Sequence, residues 1–377
     1  MSTNENKDKK AEVTALQAIS AEDRKDWISL AFVQAGICVC VPAFLLGALL
    51  AEAMPIWPAI ISGSLGYLIV VVGMVATGMI GCDLGLASCT CCQAGFGKSG
   101  ARFIVSTIFA VNMIGWFGIQ NGVCGEAFSN AMLAMTGWDI PVVVSNTIWG
   151  IIMLLTAVYG VHALEKLDKI SIPLLMIIMC YGTFLAFKVY GTGNLNDEGT
   201  VQSMSFMSGV ALSFNFTAVG TITGPDYTRF QKSRKDTVKS VFYGVFPMGV
   251  ITLIMGIVLT KLSGQYDISM VLIEVGLPLL GIIALVISTW TTNSTNAYSA
   301  GLNIVMALKL KDNRRREATL ISGIVGIVLC DLGILGHVEG VLSLLSYVVC
   351  PVGGVILADY WVCLLYTSDA ADDRISV

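Results

Sequence analysis

A run of hydroxyls and amides, "STWTTNSTNAYSAG" at residues 288–301, lies inside an otherwise apolar stretch, after "LPLLGIIALVI" and before "LNIVMALKL". Ser288, Thr291 and Thr292 stand three and four residues apart, so a helix places them on one face. Their neutral hydroxyl oxygens suit a small hard cation such as Na⁺ without setting a carboxylate in apolar surroundings. A second set lies in "NMIGWFGIQNG" at 112–122, where Trp116 and Gln120 are four apart and share a face. Trp116 offers a flat indole for stacking, and the Gln120 amide carries both donors and an acceptor. Together they fit a flat heterocycle with mixed hydrogen-bonding edges.

The elements that hold these residues are set by composition. The chain has 377 residues, 55% hydrophobic and 13% charged, with a mean hydropathy of +0.77. An ordinary soluble domain carries about 25% charged residues, so this is a membrane protein. Crossing the hydrocarbon core takes roughly 20 mostly apolar residues. Ten such spans occur, at about 27–50, 58–82, 103–135, 141–162, 170–189, 205–223, 240–260, 269–308, 318–335 and 339–363. Those at 103–135 and 269–308 exceed one bilayer thickness, which implies tilt, a break or an extension beyond the membrane.

Placing the N-terminus in the cytoplasm puts Arg24, Lys25, Lys98, Arg102, Lys166, Lys169, the 229–239 cluster and the 309–316 cluster on that side, and leaves only Lys188 and Lys261 on the other. The expectation is a multi-pass protein of the plasma (inner) membrane with a cytoplasmic N-terminus. Residues 1–26 are polar, lack the apolar core of a signal peptide, and read as a solvated cytoplasmic tail. The basic loops follow from topology and from attraction to anionic lipid, so no nucleic-acid partner is expected. The lipid bilayer is the expected surrounding, and no obligatory protein partner is predicted.

Eleven cysteines include the cluster "SCTCC" (Cys89, Cys91, Cys92), but the only histidines are His162 and His337 and the spacing is not that of a repeated zinc site. The cysteines read as small packing residues. No Gly-rich phosphate loop, metal set or activated nucleophile appears, so an enzyme is not expected and no cofactor is required.

Ten spans divide into five and five, and an odd number per half inserts the second half upside down. Inverted repeats of this kind mark secondary transporters, whose sites form near the midplane where helices break. Repeat 1 spans 27–189 and repeat 2 spans 205–363. The first span of each carries breakers: Gly36 and Pro42 in "FVQAGICVCVPAFLLG", and Gly220, Gly224 and Pro225 in "SFNFTAVGTITGPDY". Unwound backbone near Gly36 would bring carbonyl oxygens to the hydroxyls of the eighth span.

The chain resembles the nucleobase:cation symporter-1 family from about Arg24 to Tyr360, through "GWFG" at 115–118, "GTITGPDYTRF" at 220–230, "WTTN" at 290–293 and "PVGGVILADY" at 351–360. The resemblance implies a LeuT-type 5+5 inverted repeat with helices 1 and 6 broken, followed by two further helices, and transport of a flat nucleobase coupled to Na⁺ or H⁺. It implies that Trp116 stacks on the base and that Phe216 contributes from the opposite side with Asn215 beside it; Gln120, Asn215 and either Asn293 or Asn296 are the candidates to read the ring edge. It implies an ion site of the Gly36 and Val39 carbonyls, the Ser288 backbone, and Thr291 and Thr292. Met113 stands where cytosine permeases carry Gln, and the amide appears instead at Gln120. After "ADYWV" a polar tail, 364–377, replaces the two final family helices and reads as a truncation. The expected function is therefore import of cytosine or a related nucleobase with Na⁺ or H⁺ by alternating access. The alternatives are another flat heterocycle (purine, uracil, hydantoin or allantoin) or an amino acid.

Overall fold

The computed structural model describes residues 18–159, 161–196, 203–265 and 267–364, and these are helical nearly throughout. The tails at 1–17 and 365–377, and with them the expected departure from the family at the C-terminus, lie outside the described residues. The helices are α1 (Trp27–Cys38), α2 (Val41–Ala53), α3 (Ile56–Leu84), α4 (Ser88–Cys91), α5 (Gln93–Gly100), α6 (Ser106–Thr136), α7 (Val142–Tyr159) and α8 (Val161–Tyr190). They continue as α9 (Phe206–Thr217), α10 (Gly220–Thr228), α11 (Arg234–Ser263), α12 (Ile268–Glu274), α13 (Pro278–Ala307), α14 (Arg315–Asp331) and α15 (Val338–Leu357). A helix stands at each of the ten expected spans. Among the described residues six helical stretches are long and apolar enough to cross a membrane, and the bent pair α1–α2, taken as one span, makes a seventh.

The two over-long spans resolve differently. Residues 269–308 break at 275–277, leaving the short α12 and the 30-residue α13. The 103–135 span starts with a π-helical turn at Ala101–Val105 and runs to Thr136. Side-chain caps start several helices. Asp26 accepts the Ser29 amide at 2.9 Å, and Ser233 accepts that of Asp236 at 3.1 Å. Gly85, at φ 66°, ends α3 in the left-handed conformation that a side chain disfavours.

The breaks lie where expected in the chain, but their form differs from the expectation. In the first span Gly36 is inside α1, and Pro42 begins α2 instead of kinking it. The chain leaves the helix at Val39 and Cys40, and α1 and α2 meet at 54°. In the sixth span the interruption falls at Ala218–Val219, before the glycines, and both residues keep right-handed helical dihedrals. Gly224 and Pro225 sit within α10. A Cβ on Gly224 would stand 2.8 Å from the Met74 carbonyl oxygen, so that glycine serves close packing on α3.

Two groups of helices result. In one, α11 packs on α1, α2 and α3, and α3 packs on α9 and α10; in the other, α13 packs on α6, α8 and α14, and α7 joins α6 and α14. Small residues set the spacing in the first group. Gly47 of α2 and Gly256 of α11 face each other so closely that a Cβ on Gly47 would lie 2.8 Å from the Ile257 amide nitrogen and 3.0 Å from Gly256 Cα.

On the N-terminal side, backbone and side-chain bonds strap the first group. The Ile19 amide donates to Gly85 O at 2.9 Å, the Lys25 amide to Phe230 O at 2.6 Å and Arg24 to Gln231 O at 2.9 Å. Arg234 pairs with Asp83 at 2.7 Å, and Tyr360, just beyond α15, donates to the same carboxylate at 2.7 Å. Trp361 donates to Ala76 O at 3.2 Å.

The crossing of α2 and α11 yields a stability prediction. Gly256→Val puts bulk against the Phe44 backbone, which cannot retreat, and overpacking of this kind costs about 1–3 kcal/mol or more. Size-exclusion chromatography of the detergent-solubilised variant should show loss of the monodisperse peak, while Gly340→Val, where a Cβ meets nothing within 4 Å, should elute normally.

Candidate functional site

Breaking α1 frees backbone oxygens. The Cys40 amide makes no backbone hydrogen bond among the described residues, Pro42 has no N–H, and the Ala43 amide turns to Cys40 O at 3.0 Å. The carbonyls of Gly36, Cys38 and Val39 thereby lose the donors that an unbroken helix provides. Val39 is 1% exposed, so these oxygens cannot rely on bulk water. The second break acts alike, since the Ala218 and Val219 amides make no backbone hydrogen bond among the described residues, and Asn215 O accepts instead from Ser346 Oγ at 3.2 Å.

The hydroxyl face of α13 is present as expected. Ser288 and Thr291 are buried and Thr292 is half-buried. The Thr291 and Thr292 hydroxyls both donate to Ser288 O at 3.1 Å, which turns their lone pairs outward. Among the described residues no hydrogen bond joins this set to Gly36 or Val39, so the two halves of the expected ion site stand separately organised. Freed carbonyls on one side and hydroxyl oxygens on the other are the donor types that Na⁺ accepts.

Much of the rest of 288–301 does other work than expected. The Asn293 amide nitrogen donates to Phe117 O at 3.1 Å and to Met153 Sδ at 3.3 Å, and its oxygen accepts from Asn296 Nδ2 at 3.4 Å. Ser294 donates to Met153 O at 3.0 Å, and Trp290 Nε1 to Thr156 Oγ1 at 3.0 Å. These bonds lace α13 to α6 and α7, because polar groups in a bundle core must find partners. Asn293 thus links α13 to α6 and α7, while Asn296 bonds within α13 to Asn293.

Trp116 and Phe216 do come together, with ring centroids 5.0 Å apart and planes at 89°. This edge-to-face contact leaves no parallel slot between them, unlike the expected arrangement on opposite faces of a ring; a flat ligand stacks on one ring only after the other gives way. The pair belongs to one apolar cluster with Cys40, Leu212, Leu342 and Leu345. Helix α15 is the wall that the sequence reading omitted, although Ser343 and Ser346, three apart in "VLSLLSYVV", carried the same signal as Thr291 and Thr292. Gln120 is 4% exposed and its Oε1 has no partner. Gln34 was also missed: it is fully buried on α1 with neither amide atom partnered, a lone amide in an apolar span just as Gln120 is.

On the side away from the N-terminus a cavity of about 390 Å³ lies between α2, α6, α12 and the start of α15. Val41, just past the first break, lines it, and Glu52, Glu126 and Asp267 give its wall an acidic character. The eleven cysteines are free thiols, mostly buried, in keeping with packing roles.

Comparison with known proteins converges on one group. The model of a family described as permeases for cytosine/purines, uracil, thiamine and allantoin matches residues 19–375. The cytosine permease of Escherichia coli K12 is 30% identical over 341 residues, covering 89% of this chain and 78% of the relative. Among solved structures, the inward-facing conformation of Mhp1 superposes with a TM-score of 0.78 at 20% identity, covering 92% of this chain and 79% of that one. Mhp1 in a closed conformation with bromovinylhydantoin bound gives 0.77 at 18% identity, covering 93% and 81%. The fold is therefore the LeuT-type arrangement of these transporters.

The orphan acceptor on Gln120 generates a test. Leaving a buried polar atom unpaired costs about 1–3 kcal/mol, so Gln120→Leu should hold or raise the melting temperature of the ligand-free protein. The same substitution should reduce the stabilisation produced by cytosine or hydantoin. A variant that melts lower and still responds fully to ligand would assign Gln120 to packing alone. Trp116→Ala should weaken ligand affinity by well over tenfold, because stacking adds about 0.5–1.5 kcal/mol to the lost buried area. Radioligand binding on monodisperse protein reads this directly.

Proposed function

The chain belongs to the family of permeases for cytosine and purines, uracil, thiamine and allantoin, and on that premise we propose that it imports cytosine or a closely related nucleobase together with a cation. The observation that carries the reading is the buried meeting of Trp116 with Phe216, which stands just before the break in the sixth span, and the unpartnered Gln120 acceptor on the same helix as Trp116. A flat ring with N–H groups satisfies all of these at once, whereas an amino acid would need a site for two opposite charges.

Na⁺ is the favoured coupling ion. The carbonyls of Gly36 and Val39 and the hydroxyls of Thr291 and Thr292 are neutral oxygens, the donor set for a hard cation, with no carboxylate to take up a proton among them. In this proposal the protein sits in the plasma membrane with its N-terminus in the cytoplasm, and the cavity by Glu52 faces outside. The Lys and Arg distribution supports that orientation. The ion joins the broken first helix to α13, so each ligand stabilises the closed arrangement that favours the other.

Uptake of radiolabelled cytosine, uracil, hypoxanthine and hydantoin into proteoliposomes, with and without a sodium gradient, tests the substrate and the ion together. Stimulation by a proton gradient in sodium-free buffer would replace Na⁺ with H⁺. Thr291→Ala combined with Thr292→Ala should abolish sodium stimulation of cytosine binding. Linkage requires sodium to raise cytosine affinity by the factor by which cytosine raises sodium affinity. Unequal factors, or none, would end the coupling scheme.

A further inference from the structure

Asn215 is held in one orientation. Its Nδ2 lies 3.0 Å from Ser343 Oγ on α15, and Ser343 Oγ lies 2.9 Å from Glu339 O. A carbonyl only accepts, so the single Ser343 hydrogen goes to Glu339 and the hydroxyl oxygen is left to accept. The Asn215 group facing it must then be the NH₂, which turns Oδ1 to the other side. Among the described residues Oδ1 takes no hydrogen bond, and it is not one of the buried orphan atoms, so it is reachable. Ser346 fixes the same residue from behind, by donating to Asn215 O at 3.2 Å. Asn215 immediately precedes Phe216, and α15 contributes Leu342 and Leu345 to the apolar cluster that contains Trp116 and Phe216.

We propose that Ser343 is a positioning residue that pins the Asn215 amide with its oxygen toward the ligand, so that the site selects a heterocycle presenting an N–H or amino donor at that edge over one presenting a carbonyl. The proposal rests on the nucleobase-transport reading and adds a direction to it. Gln120 Oε1 is a second unpartnered acceptor, and two acceptors repel a carbonyl edge. An amide free to flip reads either edge; an amide held by an acceptor-only hydroxyl reads one. Asn293 cannot supply the missing donor, because its NH₂ is engaged by Phe117 O and Met153 Sδ.

The experiment is competition of labelled cytosine binding by unlabelled cytosine and uracil, on purified full-length protein. The two rings differ in an amino group against a carbonyl at one carbon and in the state of the adjacent nitrogen. The wild type should favour cytosine by about tenfold or more, the scale of one hydrogen bond made or left unmade. Ser343→Ala frees the amide to flip, and the preference should fall to within about threefold. Ser343→Thr keeps the hydroxyl and should restore the wild-type ratio, which a loss of packing alone would not do. Asn215→Ser, whose hydroxyl rotates to donate or accept, should lose discrimination in the same way and serves if Ser343→Ala does not fold. A wild-type ratio in either folded variant overturns the pinning. If no heterocycle binds at all, the transport reading fails and takes this proposal with it, so the two failures are told apart by the wild type.

Discussion

In the hydrocarbon core no water is at hand for a backbone amide or carbonyl, and each group left alone costs several kcal/mol. That constraint governs this molecule. A helix meets it everywhere except at an interruption, and the first and sixth spans are interrupted, at Val39–Cys40 and Ala218–Val219. The freed groups must be enclosed by protein, and the residues at the first break, Val39 and Cys40, are buried accordingly. Burial of Val39, the turn of the Ala43 amide to Cys40, and the Ser346 bond to Asn215 O are all responses to the same requirement. The residues able to bind a solute collect there because that is where the backbone still has bonding capacity to offer.

Enclosure demands close approach, and close approach demands small residues. Gly47 and Gly256 let α2 and α11 touch backbone to backbone, Gly244 meets Ala31 and Gly224 meets Met74. The opposite group has close glycine contacts of its own, such as Gly323 on Leu154 and Gly150 on Ile327, and adds amides and hydroxyls laced from α13 to α6 and α7.

The fold was legible in the sequence because span length, charge placement and breaker residues each report on a constraint that acts locally along the chain. The site was partly legible. Trp116, Gln120 and Phe216 stood out as aromatic or polar residues in apolar runs, and they occupy one neighbourhood. What the sequence could not supply is partnership. Asn293 and Thr291 look alike in "STWTTNSTNAYSAG", yet one ties three helices together and the other bonds only within its own helix. The importance of Ser343 comes from Asn215, 128 residues away, and no spacing within either segment contains that pairing. The position of the sixth break was likewise invisible, since Gly224 and Pro225 advertise flexibility that packing against α3 removes.

Helix α15 is fastened at two separate levels, to two different neighbours. Ser343 and Ser346 bond to the sixth span near one end, and past the other end Tyr360 and Trp361 bond to Asp83 and Ala76 of α3. A helix of 20 residues is a rod of about 30 Å, so these fastenings hold a fixed distance apart. Its other long contact, with α6, is made by Leu345, Val349 and Val352 lying over Gly115 and Phe109. Helix α15 is thus tied to the sixth span and to α3 by directional bonds and meets α6 through apolar side chains alone, so its two sides are held by different physics.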